Sequence, residues 1–336
     1  MPRATAQSIH LLARPQGVPT ADLFAIVEHD VPDIAAGQAL VSNRFLSVDP
    51  YMRQLMDDGW PLNAPLGQGR AIGRVVASRA ELLPEGAWVF HTSGWSTHAV
   101  VAAGQPGVRV VEPAGGIPLS HYLSVLGGTG LTAYAGMRAV LDVQYGESVF
   151  VTSAAGGVGS VAGQIARLLG AGLVVGSTGS VAKVEHVTKV LGFGAAFDYH
   201  TAPVADLLAQ AAPDGVDAVL EGVGGEHLEA AIESAREFGR IAWVGAISTY
   251  NDRAAAGAVP RNIYAVHDKS LTLRGYMVRH YRHLRAEAEE WMVPYLRSGE
   301  LRADEHHVIG IERTVDAFLG VLGGQNIGKM LVDLPE

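Results

Sequence analysis

The sequence predicts an α/β protein, with a doubly wound parallel sheet in the middle of the chain and β-rich segments on either side. Three observations carry this. Residues 149–171, VFVTSAAGGVGSVAGQIARLLGA, pass from an apolar β-branched run through a glycine-rich turn into a helical pattern. From about Leu119 onward, helical patterns alternate with short apolar strands, the rhythm of parallel strands joined by crossovers. Residues 1 to about 120 instead show short alternating segments between Gly/Pro turns.

In chain order, the first part offers strands at Ala39 to Asn43, Gly73 to Ser78, Ala87 to His91 and His98 to Val101. Helical patterns then cover Leu119 to Leu126, Thr132 to Val140, Val158 to Leu169, Val181 to Leu191, Val204 to Ala211 and His227 to Ala235. The strands between them fall near Ser148 to Thr152, Gly172 to Ser177, Ala195 to Asp198, Ala218 to Leu220, Arg240 to Gly245 and Ser270 to Gly275. Six such strands make the two mononucleotide-binding halves of a Rossmann sheet. After a helix at Leu284 to Arg297, the segment Val308 to Leu334 returns to strand, helix, strand. The stretch Ala254 to Ala258 reads as a flexible loop near the switch point. A chain of 336 residues exceeds what one continuous core holds, so two domains are expected.

Gly156 and Gly159 stand three apart, and Gly163 follows one helical turn on. Strand, tight turn and helix in that order suit a pyrophosphate. The backbone can approach closely, and free N–H groups at the positive end of the helix face the phosphates. Glycine turns also join strands to helices without binding anything, and the spacing is S-x-x-G-x-x-G; the flanking strand and helix are what favour a dinucleotide. About 20 residues on, NAD-binding folds carry Asp or Glu for the ribose 2′-hydroxyl. Here stand Ser177, Thr178, Gly179 and Ser180, followed by Lys183 in a chain with only four lysines. No acid, open space and a cation favour NADPH, although a lysine in a first helical turn is also an ordinary solvated residue.

Composition narrows the partners. Hydrophobic residues are 48% and charged residues 18%, the balance of a packed globular protein without a disordered signature. A net charge of −9 with no basic run argues against nucleic acid. No apolar stretch is long enough for a transmembrane helix, and the N-terminal one is too short for a signal peptide, so a cytoplasmic location is expected. With no cysteine there is neither a disulfide nor a thiolate zinc site. The 13 histidines show no usual ligand spacing, so the chemistry is expected to run without metal.

Several blocks together resemble the zinc-free branch of the medium-chain dehydrogenase/reductase superfamily. They are NRFLSVDPYMR at 43–53, GRAIGRVVASR at 69–79, LGGTGLTAY at 126–134, residues 153–166, EGVGG at 221–225 and GAISTYN at 245–251. Within that branch the chain is similar to prostaglandin reductases, leukotriene B4 12-hydroxydehydrogenases, alkenal double-bond reductases and curcumin reductases. DPYMR and GAISTYN are the specific motifs. The resemblance implies a GroES-like β catalytic domain, residues 1–120 and 301–336, with an NADP-binding Rossmann domain, residues 121–300, inserted in it. It places Gly157, Val158, Gly159 and Ser160 along the pyrophosphate, and Lys183 and Tyr199 on the 2′-phosphate. Val244, Gly245, Ala246, Ile247, Ser248 and Tyr250 would border the nicotinamide and its ribose, together with Tyr276, Met277 and Val278, and Asn326 would close over the cofactor. One departure stands out: relatives carry Asn before V-G-G, where this chain has Gly222.

Such enzymes reduce a C=C bond conjugated to a carbonyl. A hydride reaches the β-carbon, a donor polarises the carbonyl oxygen, and a proton reaches the α-carbon. Without metal the donor must be a hydroxyl, an amide or a backbone N–H aimed at the developing charge. Tyr250 is the candidate, because a phenol stays protonated at neutral pH and this one follows the fifth strand of the sheet. It is also placed to do no more than pack on the cofactor ribose. Tyr51 reads as a wall of the substrate pocket or as an ordinary half-buried tyrosine, and Arg53 as the holder of a domain-bridging carboxylate, the favoured structural role, or of a substrate carboxyl. Three functions compete: an NADPH-dependent reductase of small apolar enones and alkenals, a zinc-free quinone reductase, and a non-catalytic NADPH-binding protein. The segment SLTLRGYMV at 270–278 reads as an edge strand, which together with the resemblance implies a homodimer.

Overall fold

The computed structural model describes residues 5–31, 33–252, 257 and 259–335. The chain forms two compact units, one comprising residues 1–123, 305–326 and 330–336 and the other residues 124–304 and 327–329.

In the first unit the strands are β1 (Thr5–Leu11), β2 (Phe24–Asp30), β3 (Gln38–Ser47), β4 (Ala71–Ser78), β5 (Trp88–His91), β6 (His98–Ala102) and β7 (Arg109–Val111). A short helix α1 (Met52–Leu55) follows β3. The second unit runs α2 (Gly128–Ala135), β8 (Ser148–Val151), α3 (Gly157–Leu168), β9 (Leu173–Thr178), α4 (Val181–Lys189), β10 (Ala195–Asp198) and α5 (Val204–Ala211). It continues with β11 (Val216–Glu221), α6 (Glu226–Ser234), β12 (Ala235–Trp243), α7 (Tyr264–Asp268), β13 (Thr272–Gly275) and α8 (Arg285–Ser298). The chain then returns through β14 (Glu305–Ile309), α9 (Thr314–Leu322) and β15 (Lys329–Asp333).

The first unit is an antiparallel β structure. Its larger sheet has the order β14-β15-β3-β4-β5-β7, with β6 paired to β3, while β1 and β2 form a separate pair. The late strands β14 and β15 enter this sheet because β15 pairs antiparallel with β3, matching Leu331 to Ser47. The core beneath is aromatic at its centre, where Trp95 meets Trp60 and Phe318 edge-on with ring centroids 5.3 and 5.4 Å apart. Offset or edge-on contacts of this kind suit the negative faces and positive rims of the rings.

The second unit holds the parallel sheet, in the order β10-β9-β8-β11-β12-β13. Counted from β8 this is 3-2-1-4-5-6, the doubly wound arrangement expected from the alternating pattern. Strand residues Phe150, Val175, Val219 and Ile241 pack with Leu208 of α5 and with Leu228 and Ile232 of α6. The strands are short and apolar on both faces because helices cover them.

Two elements differ from the pattern. The helix expected over 119–126 is a single 3-10 turn, Leu119–Tyr122, and α2 starts only after Gly127, whose extended backbone begins a new helix. Strand β12 starts at Ala235, well before the apolar run at 240, and Phe238 within it takes φ 62°. Of the loop expected at Ala254 to Ala258, all but Gly257 lies outside the described residues.

Candidate active site

In a parallel sheet every strand ends on the same edge, so the turns after β8, β9, β10, β11, β12 and β13 converge there. Most of the expected site residues lie on those turns, within the second unit. Tyr51 and Asn326 belong to the first.

The turn after β8 puts Gly156 at the cap of α3 in an extended conformation, with no side chain capping the helix. Gly157, Val158 and Gly159 supply the first-turn N–H groups, and Gly156 to Val158 are partly exposed. Gly159 and Ser160 are buried, and the Ser160 N–H closes the first helical hydrogen bond to Gly156 O at 2.9 Å. A Cβ on Gly159 would stand 2.3 Å from Ser153 O and 2.9 Å from Ala154 Cα, so only glycine lets the helix sit on this turn. Gly328 donates its N–H to Ala155 O at 2.8 Å and forms an isolated parallel bridge with Gly156. Uncapped donors at a positive helix end fit a pyrophosphate.

At the end of β9 the hydroxyls turn inward. Ser177 is fully buried, its Oγ 2.7 Å from His227 Nε2, and Thr178 donates to Phe197 O at 3.3 Å. The first two hydroxyls expected at a 2′-phosphate thus face inward, which leaves Gly179, Ser180, Lys183 and Tyr199 as the candidates there. Ser180 caps α4 by accepting the Lys183 N–H at 3.3 Å, which fixes the first turn that carries the lysine. The half-buried Lys183 ammonium has its pKa lowered by desolvation, a cost that an arriving phosphate would offset. Tyr199 is exposed, and its hydroxyl lies over Gly179, 3.1 Å from the Cβ position there. These residues fit the phosphates of NADPH.

The turn after β12 carries Val244 through Tyr250. Val244, Gly245, Ala246, Ile247 and Tyr250 are partly exposed and Ser248 is exposed, its hydroxyl donating to Val223 O at 2.6 Å. Tyr250 ends a short 3-10 turn, Ile247–Thr249, and its hydroxyl stands over Gly245, 2.9 Å from the Cβ position there. Burial raises its pKa; the Ala246 amide opposes that shift and the Glu221 carboxyl adds to it. The phenol is thus held protonated, as a hydrogen-bond donor must be.

Beyond β13, Tyr276 is buried and donates its hydroxyl to Thr132 O at 2.9 Å, so it offers a ligand backbone rather than a phenol. Met277 is exposed and Val278 partly so. In the first unit, Tyr51 donates to Gln68 O at 2.9 Å beneath the Arg70 guanidinium, and burial pushes its pKa up to about 12. Arg53 is buried on Asp57 Oδ1 at 2.9 Å and on Gly17 O, both within the first unit. Asn326 is partly exposed in the turn between α9 and β15.

Glu221 escaped sequence reasoning, although an acid closing the apolar strand VDAVLE before a glycine turn was the signal. It is fully buried, and its Oε1 accepts the N–H groups of Val223 at 2.8 Å and Gly224 at 2.9 Å. Among the described residues Oε2 has no hydrogen-bond partner. Burial outweighs these two hydrogen bonds and a third from the Thr152 hydroxyl, and pushes its pKa up to about 7. A raised carboxyl favours the folded state least once ionised: the cost is absent below the ordinary value near 4.5, grows as pH rises, and is complete above about 7. Glu221→Gln is therefore expected to gain stability over the parent across that window, by up to about 1.4 kcal/mol per pH unit. Urea unfolding at pH 5 and pH 8 checks it, and an equal difference at both would count against the ionisation.

Beside it, Gly222 donates its N–H to Thr152 Oγ1 at 2.9 Å, and a Cβ there would meet only Val244 Cγ1 at 3.5 Å. A Cβ is therefore accommodated at this position, so the glycine is not imposed by close packing.

Comparisons with known proteins agree with this geometry. Residues 7–109 match the family described as N-terminal domain of oxidoreductase, and residues 157–294 match the family described as zinc-binding dehydrogenase. Among the described residues there is no group of three or more His, Cys, Asp or Glu able to hold a metal ion. Prostaglandin reductase 1 of Mus musculus is 36% identical over 94% of this chain and 95% of its own. The NADP-dependent 2-alkenal reductase of Nicotiana tabacum is 33% identical over 90% of this chain and 88% of its own. The crystal structure of CurA from Vibrio vulnificus in complex with NADPH superposes with TM-score 0.87 at 32% identity, covering 98% of this chain and 99% of that one. The chain belongs to the NADP-dependent oxidoreductases of the medium-chain dehydrogenase/reductase superfamily, in the family of prostaglandin reductase 1 and 2-alkenal reductase.

Proposed function

We propose that this protein reduces the C=C bond of small apolar α,β-unsaturated aldehydes and ketones with NADPH, without a metal ion. The observation that carries the reading is Tyr250, a phenol kept protonated by burial on the same sheet edge as the glycine turn and the Lys183–Tyr199 pocket. The unit of residues 124–304 and 327–329 is the NADP-binding domain, and the β unit is the catalytic domain with Tyr51 in the substrate pocket. NADPH, when bound, supplies the hydride that reaches the β-carbon. The first turn of α3 holds the pyrophosphate through the N–H groups of Gly157, Val158 and Gly159, and Lys183 and Tyr199 take the 2′-phosphate. Val244–Ser248 and the backbone of Tyr276–Val278 would border the nicotinamide. Tyr250 Oη–H donates to the carbonyl oxygen as negative charge develops, and solvent supplies the proton to the α-carbon.

The test is NADPH oxidation with a conjugated enone, with a quinone and with no acceptor. Oxidation is expected with the enone, at the same rate after exhaustive chelation. Oxidation with the quinone alone, or with no acceptor preferred, would overturn the reading. An NADPH-dependent reaction draws on the intracellular pool of reduced cofactor, which favours the cytoplasm.

Cofactor choice gives a second expectation. A charge-assisted bond to a phosphate contributes about 1.5–3 kcal/mol, so Lys183→Ala should weaken NADPH roughly ten- to a hundredfold. NADH should be almost unaffected. Equal losses in calorimetric titrations of both cofactors would remove Lys183 from the 2′-phosphate.

A homodimer is the expected assembly. β13 ends the sheet and pairs only with β12, leaving one side of its backbone open among the described residues. Phe238, 72% exposed, lies beside the start of this edge through its N–H bond to Lys269 O. An open edge with apolar neighbours pairs readily with a second copy. Light scattering at micromolar concentration should report twice the chain mass, and a monomer would count against edge pairing.

A further inference from the structure

His227 has no part in the chemistry above, yet its place is unusual for a buried histidine. It is the second residue of α6, behind a turn in which Gly224 and Gly225 both take positive φ, 78° and 54°. Its side chain reaches away from its own helix to the end of β9, where Nε2 meets the buried Ser177 Oγ at 2.7 Å. Its ring also meets Tyr199 edge-on, with centroids 5.1 Å apart and planes at 79°. The Tyr199 ring also rests on His200, with centroids 4.1 Å apart. The phenol thus contacts both an exposed histidine and a buried one, and its hydroxyl lies over Gly179.

The charge of His227 is not what matters. Burial pushes its pKa down to about 4, so the ring is neutral near pH 7 and holds one donor and one acceptor nitrogen. A serine hydroxyl both donates and accepts, so the Ser177 pair is satisfied and fixes the angle of the imidazole. Nothing remains for the ring to do electrostatically at a phosphate; Lys183 is the cation there. What the ring controls is geometry, since an edge-on aromatic contact holds its partner in one attitude.

We propose that His227 is a positioning residue for cofactor choice, holding the Tyr199 ring so that its hydroxyl meets a 2′-phosphate and the protein prefers NADPH to NADH. The proposal rests on the reading of the Gly179–Lys183–Tyr199 pocket as the 2′-phosphate site, and it extends that site to a residue on a different helix. It also accounts for the inward Ser177 hydroxyl, which fixes the imidazole instead of facing a ligand.

The test uses two nucleotides without nicotinamide, adenosine 2′,5′-bisphosphate and 5′-AMP, titrated calorimetrically into the full chain. The unaltered protein should bind the bisphosphate more tightly. His227→Leu removes the ring and should weaken the bisphosphate roughly tenfold while leaving 5′-AMP unchanged, which also shows that the variant is folded. The double variant Ser177→Ala/His227→Phe restores an aromatic edge without orphaning a hydroxyl, and should recover most of the preference. Equal binding of both nucleotides by the unaltered protein would overturn the pocket reading and this inference with it. A normal preference that survives His227→Leu, an equal loss of both nucleotides, or no recovery in the double variant would overturn the inference alone.

Discussion

Replacing Tyr250 with phenylalanine should lower turnover at saturating NADPH and enone by at least tenfold. The hydroxyl donates most strongly when the substrate oxygen carries charge, so its loss falls on the transition state and spares the ground state. Loss of one such donor typically costs about a hundredfold to a thousandfold; a backbone donor or water standing in for the phenol brings the expected effect toward the lower bound. Partial burial raises the pKa of the phenol, which favours the protonated form that donates. If the ring serves only the cofactor ribose, the same change raises the NADPH dissociation constant and leaves turnover intact. Steady-state kinetics with a separate cofactor titration distinguishes the two. Unchanged turnover would take Tyr250 off the catalytic residues and leave Tyr51 as the next side-chain donor.

Gly159→Ala should damage both the fold of the nucleotide turn and cofactor binding. The added methyl would meet Ser153 O at 2.3 Å and the Ala154 and Ser153 backbone carbons at 2.9 Å, none of which a rotamer change can move. Overpacking of this kind costs about 1–3 kcal/mol and more where backbone must shift. The turn would move with it, so NADPH binding should fall along with the midpoint of thermal unfolding. Gly157→Ala is the matched control: its methyl would meet Thr129 Cγ2 at 3.1 Å and Lys329 Cδ at 3.4 Å, side chains that can yield. Equal melting of the two variants would show that close approach at Gly159 is not what shapes the turn.

The sheet was legible because its signals are local. An apolar run such as VFV at 149–151 and a helical period such as that of α3 each lie within one stretch of sequence, and crossovers of this length leave few topologies. β12 was legible only in part: its first half, Ala235 to Gly239, includes Arg236, Glu237 and an exposed Phe238, and its pairing with β11 shifts register there. At the candidate site, the spacing of Gly156 and Gly159 and the place of Lys183 in the first turn of α4 were legible, since each depends on its own turn. Glu221, His227 and the inward hydroxyl of Ser177 could not, because their meaning lies in partners brought together by folding; Ser177 and His227 are 50 residues apart in sequence. The buried phenol of Tyr276 was hidden for the same reason, its acceptor Thr132 lying 144 residues earlier.

The bond from Gly328 to Ala155 has a consequence for synthesis. A ribosome makes residues 149 to 171 when about half of the chain exists, but the strand segment that braces this turn comes only with residue 328. β3 waits in the same way for β15, which pairs with it from Phe45 to Ser47. A nascent chain halted after α8 therefore has both halves of the parallel sheet but an unbraced nucleotide turn and a β unit with an unfilled edge. The stabilisation that a bound nucleotide gives a folded protein reaches this chain late, after nearly all of it has been translated. Until then it depends on its own packing, or on whatever chaperone covers the waiting β3 edge.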